Sequence, residues 1–393
     1  MSSISMSDRF LRSWITPLAI AAVVFVQAFG TVRADDSSVA GLLDVIRQAD
    51  DPAYPAEKIR DAWDQLIDHT VEVIPDILNS IDDARSLVTV NWLSTALDRI
   101  ASKGRPSEAA QVAIKAIVED AGRSGYARRL ALRQMERLDP GFRAAFIAGR
   151  LSDVEFGAEA IAAHIATADR KLGEGDKASA IQICRKAFAE STDFEQAVEI
   201  AEKLQEMDVR VPLVDHLGLL VDWYLTGPFS GKGMTAFDVV YPPEQEVDLS
   251  RPVAFEGKSY QWQHVVLSDG NWRFDLKELI EDANDCVAFA YTEFLVAEEQ
   301  EAQLCAGADD TLAVWHNGQP VYSFPHYGNH LRADRHRVSL RLTKGKNTLL
   351  LKVAEAKIVP GRVGGGPKKW EFAARLVNAE RYGVAVAIVK REE

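Results

Sequence analysis

The chain is poor in cysteine and carries none of the familiar catalytic signatures. It has three cysteines in 393 residues and no CxxC pair, which argues against a zinc ribbon and against a thioredoxin-like redox site. HExxH, GxSxG and a dinucleotide-binding glycine fingerprint are also missing, and the glycines at 364–366 lack the Lys-Ser/Thr of a phosphate-binding loop. These absences favour a binding or structural protein over an enzyme of a familiar class.

Positive charge is scarce compared with negative charge. The chain has 45 Lys and Arg against 58 Asp and Glu, a net charge of −13 at pH 7. Such a surface makes nucleic acid and anionic lipid poor partners. The acidic residues are spread along the sequence, so we expect a solvated acidic surface and no nucleic-acid partner.

The N-terminus has the pattern of a secretory signal. Arg9 and Arg12 precede a mostly apolar run at 15–29, and the residues up to Ala34 are of the kind a signal peptidase reads. A retained anchor is the alternative, but fifteen helical residues span only about 22 Å of the roughly 30 Å hydrocarbon core. We expect a signal peptide at 1–34, cleaved after Ala34, and an exported protein, periplasmic or extracellular, with no integral membrane span after processing.

Residues 35–215 show the apolar spacing of amphipathic helices. Ile59, Ala62, Trp63, Leu66 and Ile67, for example, follow the i, i+3, i+4, i+7, i+8 stripe. Glycines and prolines interrupt such stripes at intervals that predict helical hairpins of roughly 30–45 residues, the period of α-solenoid repeats. Residues 70–83 resemble a HEAT repeat and 175–204 a tetratricopeptide repeat; a plain irregular bundle is the alternative.

The C-terminal part, residues 219–393, shows strand alternation instead. In one stretch Asn317-Gly318 separates two β-rich runs, the strongest short hairpin signal. In the next, apolar residues alternate with polar ones through 337–342, break at Lys344-Gly345 and resume through 349–353. Each stretch predicts two strands folded back on a tight turn. The predicted fold class is therefore multidomain α plus β, with a helical array followed by an antiparallel β-sandwich.

Particular segments resemble a known family. "DDTLAVWHNGQPVY", "KGKNTLLLKV" and "WEFAARL" look like the galactose-binding-like jelly roll, which includes the sugar-binding domain of family 2 glycoside hydrolases and modules of secreted bacterial proteins. "WYLTGPF" and "YPPE" resemble the opening of larger secreted versions. The resemblance covers residues 219–390 and implies a carbohydrate or cell-envelope glycan as ligand. The family's catalytic carboxylates lie in a separate barrel for which this chain has no room, so no catalytic residue is carried over.

Four residues are candidates for ligand binding. Asp309 and Asp310 lie at a strand entry, where two carboxylates suit sugar hydroxyls or a Ca²⁺ ion, or an Asx turn that satisfies backbone N–H groups. Asn317 lies in the predicted hairpin turn. Trp272 follows the turn sequence "SDGN" and is the tryptophan best placed for exposure, whereas Trp315 is expected to pack in the sandwich core with Ala313.

The cysteines and a histidine cluster leave alternatives open. Cys184 is expected to be a buried thiol on a helix face. Cys286 and Cys305 flank neighbouring predicted strands and either pair in an oxidising compartment or stay free. The histidines at 326, 330 and 336 suit a zinc site or a solvated loop, and they lack the spacing of a helical metal motif.

These observations support three hypotheses. The first is a non-catalytic binding protein, in which the sandwich binds carbohydrate through its loops or one sheet face and the helical array binds a protein partner. The second is a cell-envelope scaffold without a small ligand. The third is a glycan-active enzyme of unrecognised type, which predicts a cleft with perturbed carboxylates.

Overall fold

A computed structural model describes residues 38–231, 233–268, 270–328, 330–356 and 369–389. The predicted signal peptide, 1–34, and the glycines at 364–366 lie outside the described residues. The predicted fold class is confirmed, because helices up to Leu217 precede antiparallel strands that begin at Asp222. Within the described ranges, no helix combines the length and the apolar character needed to cross a bilayer.

The helices begin at side chains suited to the role. At Ser38, Ser86, Ser124, Asp176 and Asp193 the side chain accepts a backbone N–H of the first helical turn, which satisfies a donor that the helix leaves free. The helices are α1 (Val39–Arg47), α2 (Ala56–Asp68), α3 (Ile74–Asp82), α4 (Leu87–Ala101), α5 (Glu108–Glu119), α6 (Gly125–Leu138), α7 (Phe142–Ile147), α8 (Gly157–Gly173), α9 (Lys177–Glu190), α10 (Phe194–Glu206), α11 (Leu213–Leu217) and, among the strands, α12 (Leu276–Leu279).

The chain forms two compact units, one ending at Ile117 and the other beginning at Val118. Helices α6–α11 therefore belong to the same unit as the strands. The segment that resembles a HEAT repeat contains α3, and the one that resembles a tetratricopeptide repeat contains α9 and most of α10. The repeat character of the array and the predicted domain boundaries, 35–215 and 219–393, stay predictions.

The strands form two main sheets, in which all neighbours are antiparallel. The larger sheet has the order β4-β1-β6-β11-β8-β9 with β13 beside β6, the smaller has the order β10-β7-β12-β5, and β2 pairs with β3. The strands are β1 (Asp222–Ser230), β2 (Val253–Phe255), β3 (Lys258–Tyr260), β4 (Gln263–Val266), β5 (Phe274–Asp275), β6 (Cys286–Val296), β7 (Gln300–Ala308), β8 (Leu312–His316), β9 (Gln319–Phe324), β10 (His336–Leu342), β11 (Gly345–Glu355), β12 (Glu371–Val377) and β13 (Ala387–Ile388).

The facing sides of these two sheets enclose one apolar core, so the region is a β-sandwich. Trp223 and Phe294 of the larger sheet and Leu304 and Phe372 of the smaller sheet are fully buried in it. The indole of Trp223 meets the ring of Phe372 edge-on at 5.5 Å and donates through Nε1 to the Leu220 carbonyl at 2.7 Å. Dispersion contacts and removal of apolar surface from water stabilise this layer.

One of the two predicted hairpins is confirmed and the other is wrong. Asn317 and Gly318 have positive φ angles of 50° and 76° and join β8 to β9, which pair. In contrast, β10 pairs with β7 of the smaller sheet and β11 with β6 and β8 of the larger one. The chain therefore crosses between the sheets at residues 343–344. The buried Asn347 side chain holds this corner, because its Oδ1 accepts the Thr343 N–H at 3.0 Å and its Nδ2 donates to the Thr343 carbonyl at 2.7 Å.

The outer face of the larger sheet is also partly covered. Residues 233–262, here named the cover segment, leave β1 and return to β4 through two 3-10 turns and the β2–β3 hairpin. Tyr241 and Phe255 of this segment pack on Phe229 of the sheet, and Tyr241 also packs on Phe289, with ring centroids 5.4 to 5.9 Å apart. The larger sheet thus buries aromatic surface on both sides.

Helices and sandwich are joined within the second unit by buried polar contacts. Arg375 of β12, 1% exposed, makes a two-pronged ion pair with Asp334 at 2.6 and 2.8 Å and donates to the Leu217 and Thr192 carbonyls. A guanidinium removed from water needs this full set of acceptors. The end of α11 and the connection between α9 and α10 are therefore held to the smaller sheet.

Candidate functional site

A buried lysine anchors the cover segment to the sheet. Lys352 of β11 is 3% exposed, and its Nζ donates to the carbonyls of Phe237 and Val239 and to Oε1 of Glu244, each at 2.7 Å. Burial lowers the pKa of Lys352, and the Glu244 carboxylate opposes that shift. Since all three ammonium protons have acceptors, the charge is tolerated in the interior.

Glu244 in turn fixes the backbone of the cover segment. The same Oε1 accepts the Tyr241 N–H at 3.0 Å, and the Glu244 N–H donates to the Tyr241 carbonyl at 3.0 Å, which closes a 3-10 turn over Pro242–Glu244. Prolines at the start of this turn fit because their missing N–H would have no partner there. The sequence "YPPE" therefore forms a rigid edge held to the sheet through Lys352.

A hollow of about 210 Å³ lies where this edge stops short of β8, and it is here named the outer-face pocket. Residues 243–247 of the cover segment form its wall. Its floor is the outer face of the sheet, where antiparallel register places three side chains in line, Tyr291 opposite Leu350 and Leu350 opposite Trp315. Side chains opposite one another on an antiparallel pair lie about 4.5–5.5 Å apart at Cβ, so the floor is one continuous apolar and aromatic surface.

Polar groups surround this floor. Glu244, Gln245 and Glu246 lie along the wall, and Thr348 lies at the open side. The Tyr291 hydroxyl donates to Glu293 at 2.8 Å, and Glu293 is also paired with Lys346 at 3.0 Å. An apolar base with a few convergent polar groups is the usual composition of a small-molecule site.

The two predicted aspartates lie in the loop between β7 and β8. Both are buried, with exposed fractions of 6% for Asp309 and 5% for Asp310. Asp310 has a left-handed φ of 69°, and its carboxylate accepts the backbone N–H groups of Gly328 at 2.5 Å and Ala356 at 3.4 Å. The Asp310 carboxylate thus satisfies backbone donors, but these lie 18 and 46 positions away and do not form the predicted Asx turn. Among the described residues, no group of three or more His, Cys, Asp or Glu side chains is arranged to hold a metal ion.

Asn317 is exposed but tied to the neighbouring strand. Its Oδ1 accepts the Thr348 N–H at 2.8 Å, and its own N–H donates to the Thr348 carbonyl at 3.0 Å. The side chain therefore fixes the hairpin end against β11. It lies next to Gly318 and Thr348, two residues that line the outer-face pocket.

The expectations for the two tryptophans need correction. Trp272, expected to be exposed, is half-buried and meets the ring of Phe194 of α10 edge-on at 4.8 Å. Trp315 does share a face with Ala313, as predicted, but this is the outer face and not the core. The reason is that Leu312 and Val314 take the inward positions of β8. The half-buried Trp315 ring consequently lines the pocket.

The cysteines and histidines lie apart from the pocket. Cys184, Cys286 and Cys305 are free and buried, and burial raises the pKa of all three thiols. Cys286 and Cys305 belong to different sheets. His336 is buried with its Nδ1 2.9 Å from the Tyr322 hydroxyl.

A larger hollow of about 650 Å³ lies in the first unit between α1 and α4. Several of its charged side chains have partners in the same region. Arg47 pairs with Asp44 and Asp83, and the Ser86 and Thr89 hydroxyls donate to Asp50 and lower its pKa. No aromatic side chain lines this hollow, so it lacks the surface that the outer-face pocket offers.

Sequence reasoning missed most of the pocket, including Tyr291, Glu244 and Leu350. The one available signal was Lys352, a lone charge in the apolar run "TLLLKVA". A charge at a buried strand position implies a carboxylate or carbonyl partner from elsewhere in the chain. That partner is Glu244, which forms part of the pocket wall.

Comparisons with known proteins give little beyond this geometry. Neither a scan of family models nor a comparison with curated proteins gives a match. Among solved structures, a β-glucosidase from Kluyveromyces marxianus is 13% identical and aligns over 37% of this chain and 19% of its own, with a TM-score of 0.22.

Two other solved structures are similar to the same extent. A GH31 α-xylosidase from Xanthomonas citri is 13% identical over 34% of this chain and 15% of its own, with a TM-score of 0.22. A GH2 β-galacturonidase from Eisenbergiella tayi bound to glycerol is 15% identical over 32% of this chain and 22% of its own, and its TM-score is also 0.22. This chain thus spans about a fifth of the length of each neighbour, and at these TM-scores the similarity identifies neither a family nor a ligand for it.

Proposed function

We propose that this chain is an exported, non-catalytic carbohydrate-binding protein whose sandwich is a galactose-binding-like module. In this proposal the outer-face pocket holds one neutral sugar residue, and the helical array binds a protein partner. The observation that carries the proposal is the pocket itself, a half-buried tryptophan and a tyrosine on the floor with carboxylate and amide oxygens along one wall.

This combination suits the two kinds of surface that a sugar presents. The C–H face of a pyranose packs on an aromatic ring, whose face carries partial negative charge. Its hydroxyls donate to carboxylate oxygens, and a hydrogen bond to a charged group is stronger than one between neutral groups. Trp315 supplies the ring, and Glu246, Gln245 and Thr348 supply the polar partners.

The size of the pocket limits the ligand. At about 210 Å³ it is smaller than the roughly 300–1,000 Å³ of sites for drug-sized molecules. One sugar residue fits this volume better than a nucleotide or a larger cofactor. Glu244 and Glu246 are paired with Lys352 and Arg251, but the net charge of −13 disfavours sulfated and uronic-acid sugars.

A binding measurement on the full chain tests the proposal. Isothermal titration with galactose, glucose, mannose and N-acetylglucosamine, each at tens of millimolar, should detect binding of at least one. We expect Trp315→Ala to weaken that binding about tenfold, which corresponds to the roughly 1.4 kcal/mol of a lost ring contact. Trp92→Ala is the matched control, because Trp92 is similarly half-buried but lies in the first unit.

The outcomes separate the alternatives. If no sugar binds, the scaffold hypothesis is favoured; if both tryptophan variants weaken binding equally, the outer-face pocket is not the site. Release of product from aryl glycosides of the bound sugar, lost in Glu246→Gln, would overturn the non-catalytic part of the proposal.

A further inference from the structure

The floor of the outer-face pocket continues well beyond the pocket along the sheet. Strand register places His264 opposite Tyr224, Tyr224 opposite Tyr291, Tyr291 opposite Leu350, and Leu350 opposite Trp315. These five residues come from five adjacent strands, β4, β1, β6, β11 and β8. At about 4.8 Å per strand, the row is about 19 Å long and runs perpendicular to the strands.

The end of the row farthest from Trp315 is built as a second platform. The rings of Tyr224 and His264 stack at 4.7 Å with an angle of 19° between their planes. His264 donates through Nε2 to Oδ1 of Asp222 at 2.7 Å, which fixes the imidazole on the tyrosine. Tyr224 is half-buried and His264 exposed, so this end faces solvent.

Polar residues follow one side of the row and the cover segment follows the other. Asp222 and Glu293 are each two positions from a tyrosine of the row and so share its face, and Thr348 is opposite Glu293. On the other side Trp262 packs against Tyr291 with ring centroids 6.3 Å apart, in line with the wall at 243–247. We name this flanked row the trough; its middle residues, Tyr291 and Leu350, are 8% and 5% exposed, and Tyr224 and Trp315 towards its two ends are half-buried.

We infer that this trough binds an extended, unbranched, neutral glycan of several sugar residues, with one subsite at Trp315 and another at Tyr224. The inference rests on the proposed function, because the Trp315 subsite is the outer-face pocket. A row of aromatic and apolar side chains across five strands matches a linear chain better than a single sugar. The carboxylates along the trough, Asp222, Glu244, Glu246 and Glu293, each have a basic partner, so it is the net charge of −13 of the whole chain that disfavours an anionic glycan.

The test compares ligand lengths on the full chain. Isothermal titration uses the monosaccharides named above and the linear tetra- and hexasaccharides of cellulose, mannan, galactan and chitin. We expect the preferred hexasaccharide to bind at least tenfold more tightly than its monosaccharide. Tyr224→Ala should remove that gain, whereas Trp315→Ala should weaken binding of both the monosaccharide and the hexasaccharide. Tyr126→Ala is the control, because Tyr126 is an exposed tyrosine of α6.

Each outcome decides between the two proposals. If monosaccharide and hexasaccharide bind equally and Tyr224→Ala has no effect, the proposal of an extended glycan site is wrong, and the proposal of a single-sugar pocket is unaffected. If no sugar of any length binds, both fail. If Tyr224→Ala does not fold, His264→Ala replaces it, because His264 is exposed on the edge strand β4; an unchanged length dependence in that variant overturns the trough.

Discussion

The two faces of the larger sheet differ in what covers them. The inner face packs along its length on the smaller sheet, with fully buried side chains such as Trp223 and Phe294. The outer face is covered over one part by the cover segment and leaves the row from His264 to Trp315 along its border. One face therefore supplies stability, and the uncovered part of the other supplies the candidate site.

Two strands, β10 and β6, show how a covering segment removes the alternation of buried and exposed residues. Along β10 of the smaller sheet, buried and exposed residues alternate strictly. Along β6 of the larger sheet, ten of eleven residues are buried, because the cover segment removes its outward side chains from water. The exposed residue of β6 is Leu295, and Tyr291, which lines the pocket, is 8% exposed.

Removing an inner-face aromatic should have the largest effect on stability. Trp223→Ala deletes a fully buried side chain and is expected to lower the free energy of unfolding by about 3–5 kcal/mol. Urea unfolding, with hydrogen exchange of the β6 and β12 amides as the readout, measures this loss of stability. Val321→Ala on the outer side of edge strand β9, where Val321 is 38% exposed, should change little. Equal losses of stability in Trp223→Ala and Val321→Ala would show that the inner layer is not the one that stabilises the sandwich.

Breaking the lysine anchor should affect the outer face selectively. Lys352→Met removes the ammonium and leaves two carbonyls and the Glu244 carboxylate without their donor, at an expected cost of about 3 kcal/mol. Hydrogen exchange should increase in residues 233–247 before it increases in β12. The control is Lys177→Met, whose exposed ion pair with Asp208 is worth at most about 1 kcal/mol.

The opposite order of exchange would mean that the anchor supports the whole sandwich. Loss of sugar binding in Lys352→Met, with the fold intact, would place Glu244 in the site through its positioning by Lys352. Retained sugar binding would show that the pocket wall keeps its position without Lys352.

Local sequence patterns predicted the elements of this fold but not their partners. The alternation at 337–342 and the Asn317-Gly318 turn are properties of neighbouring residues, and both predictions are confirmed. The pairing of β11 between β6 and β8 depends on contacts more than thirty residues apart in sequence, which no local pattern specifies. The error about the Lys344-Gly345 turn has this origin, because a turn sequence does not tell whether the chain stays in its sheet.

The site was still less predictable, for the same reason. Tyr291, Leu350 and Trp315 are adjacent only because of register, and Glu244 meets Lys352 across 108 positions. Trp315 was assigned to the core because both faces of β8 are apolar, "LAVW". Only the burial of Leu312 and Val314 between the sheets shows which face is inward.

Acid should weaken the inner face through one histidine. His336 of β10 is 3% exposed, and burial lowers its pKa to about 4, with a further lowering from Arg335. Between the ordinary pKa of about 6.5 and this value, the unfolded chain binds a proton that the folded chain does not. Stability is therefore retained above pH 6.5 and lost as the pH falls towards 4, by roughly 2 kcal/mol between pH 7 and pH 5.

Urea unfolding at a series of pH values measures this slope. In His336→Gln the part due to this residue should disappear, so that the variant loses less stability on acidification than the parent chain. Ser339→Ala, an outward position on the same strand, should keep the parent slope because it adds and removes no titratable group. An unchanged slope of stability against pH in His336→Gln would mean that protonation of other groups governs the loss of stability in acid. The inner face would then be no more sensitive to acid than the outer face.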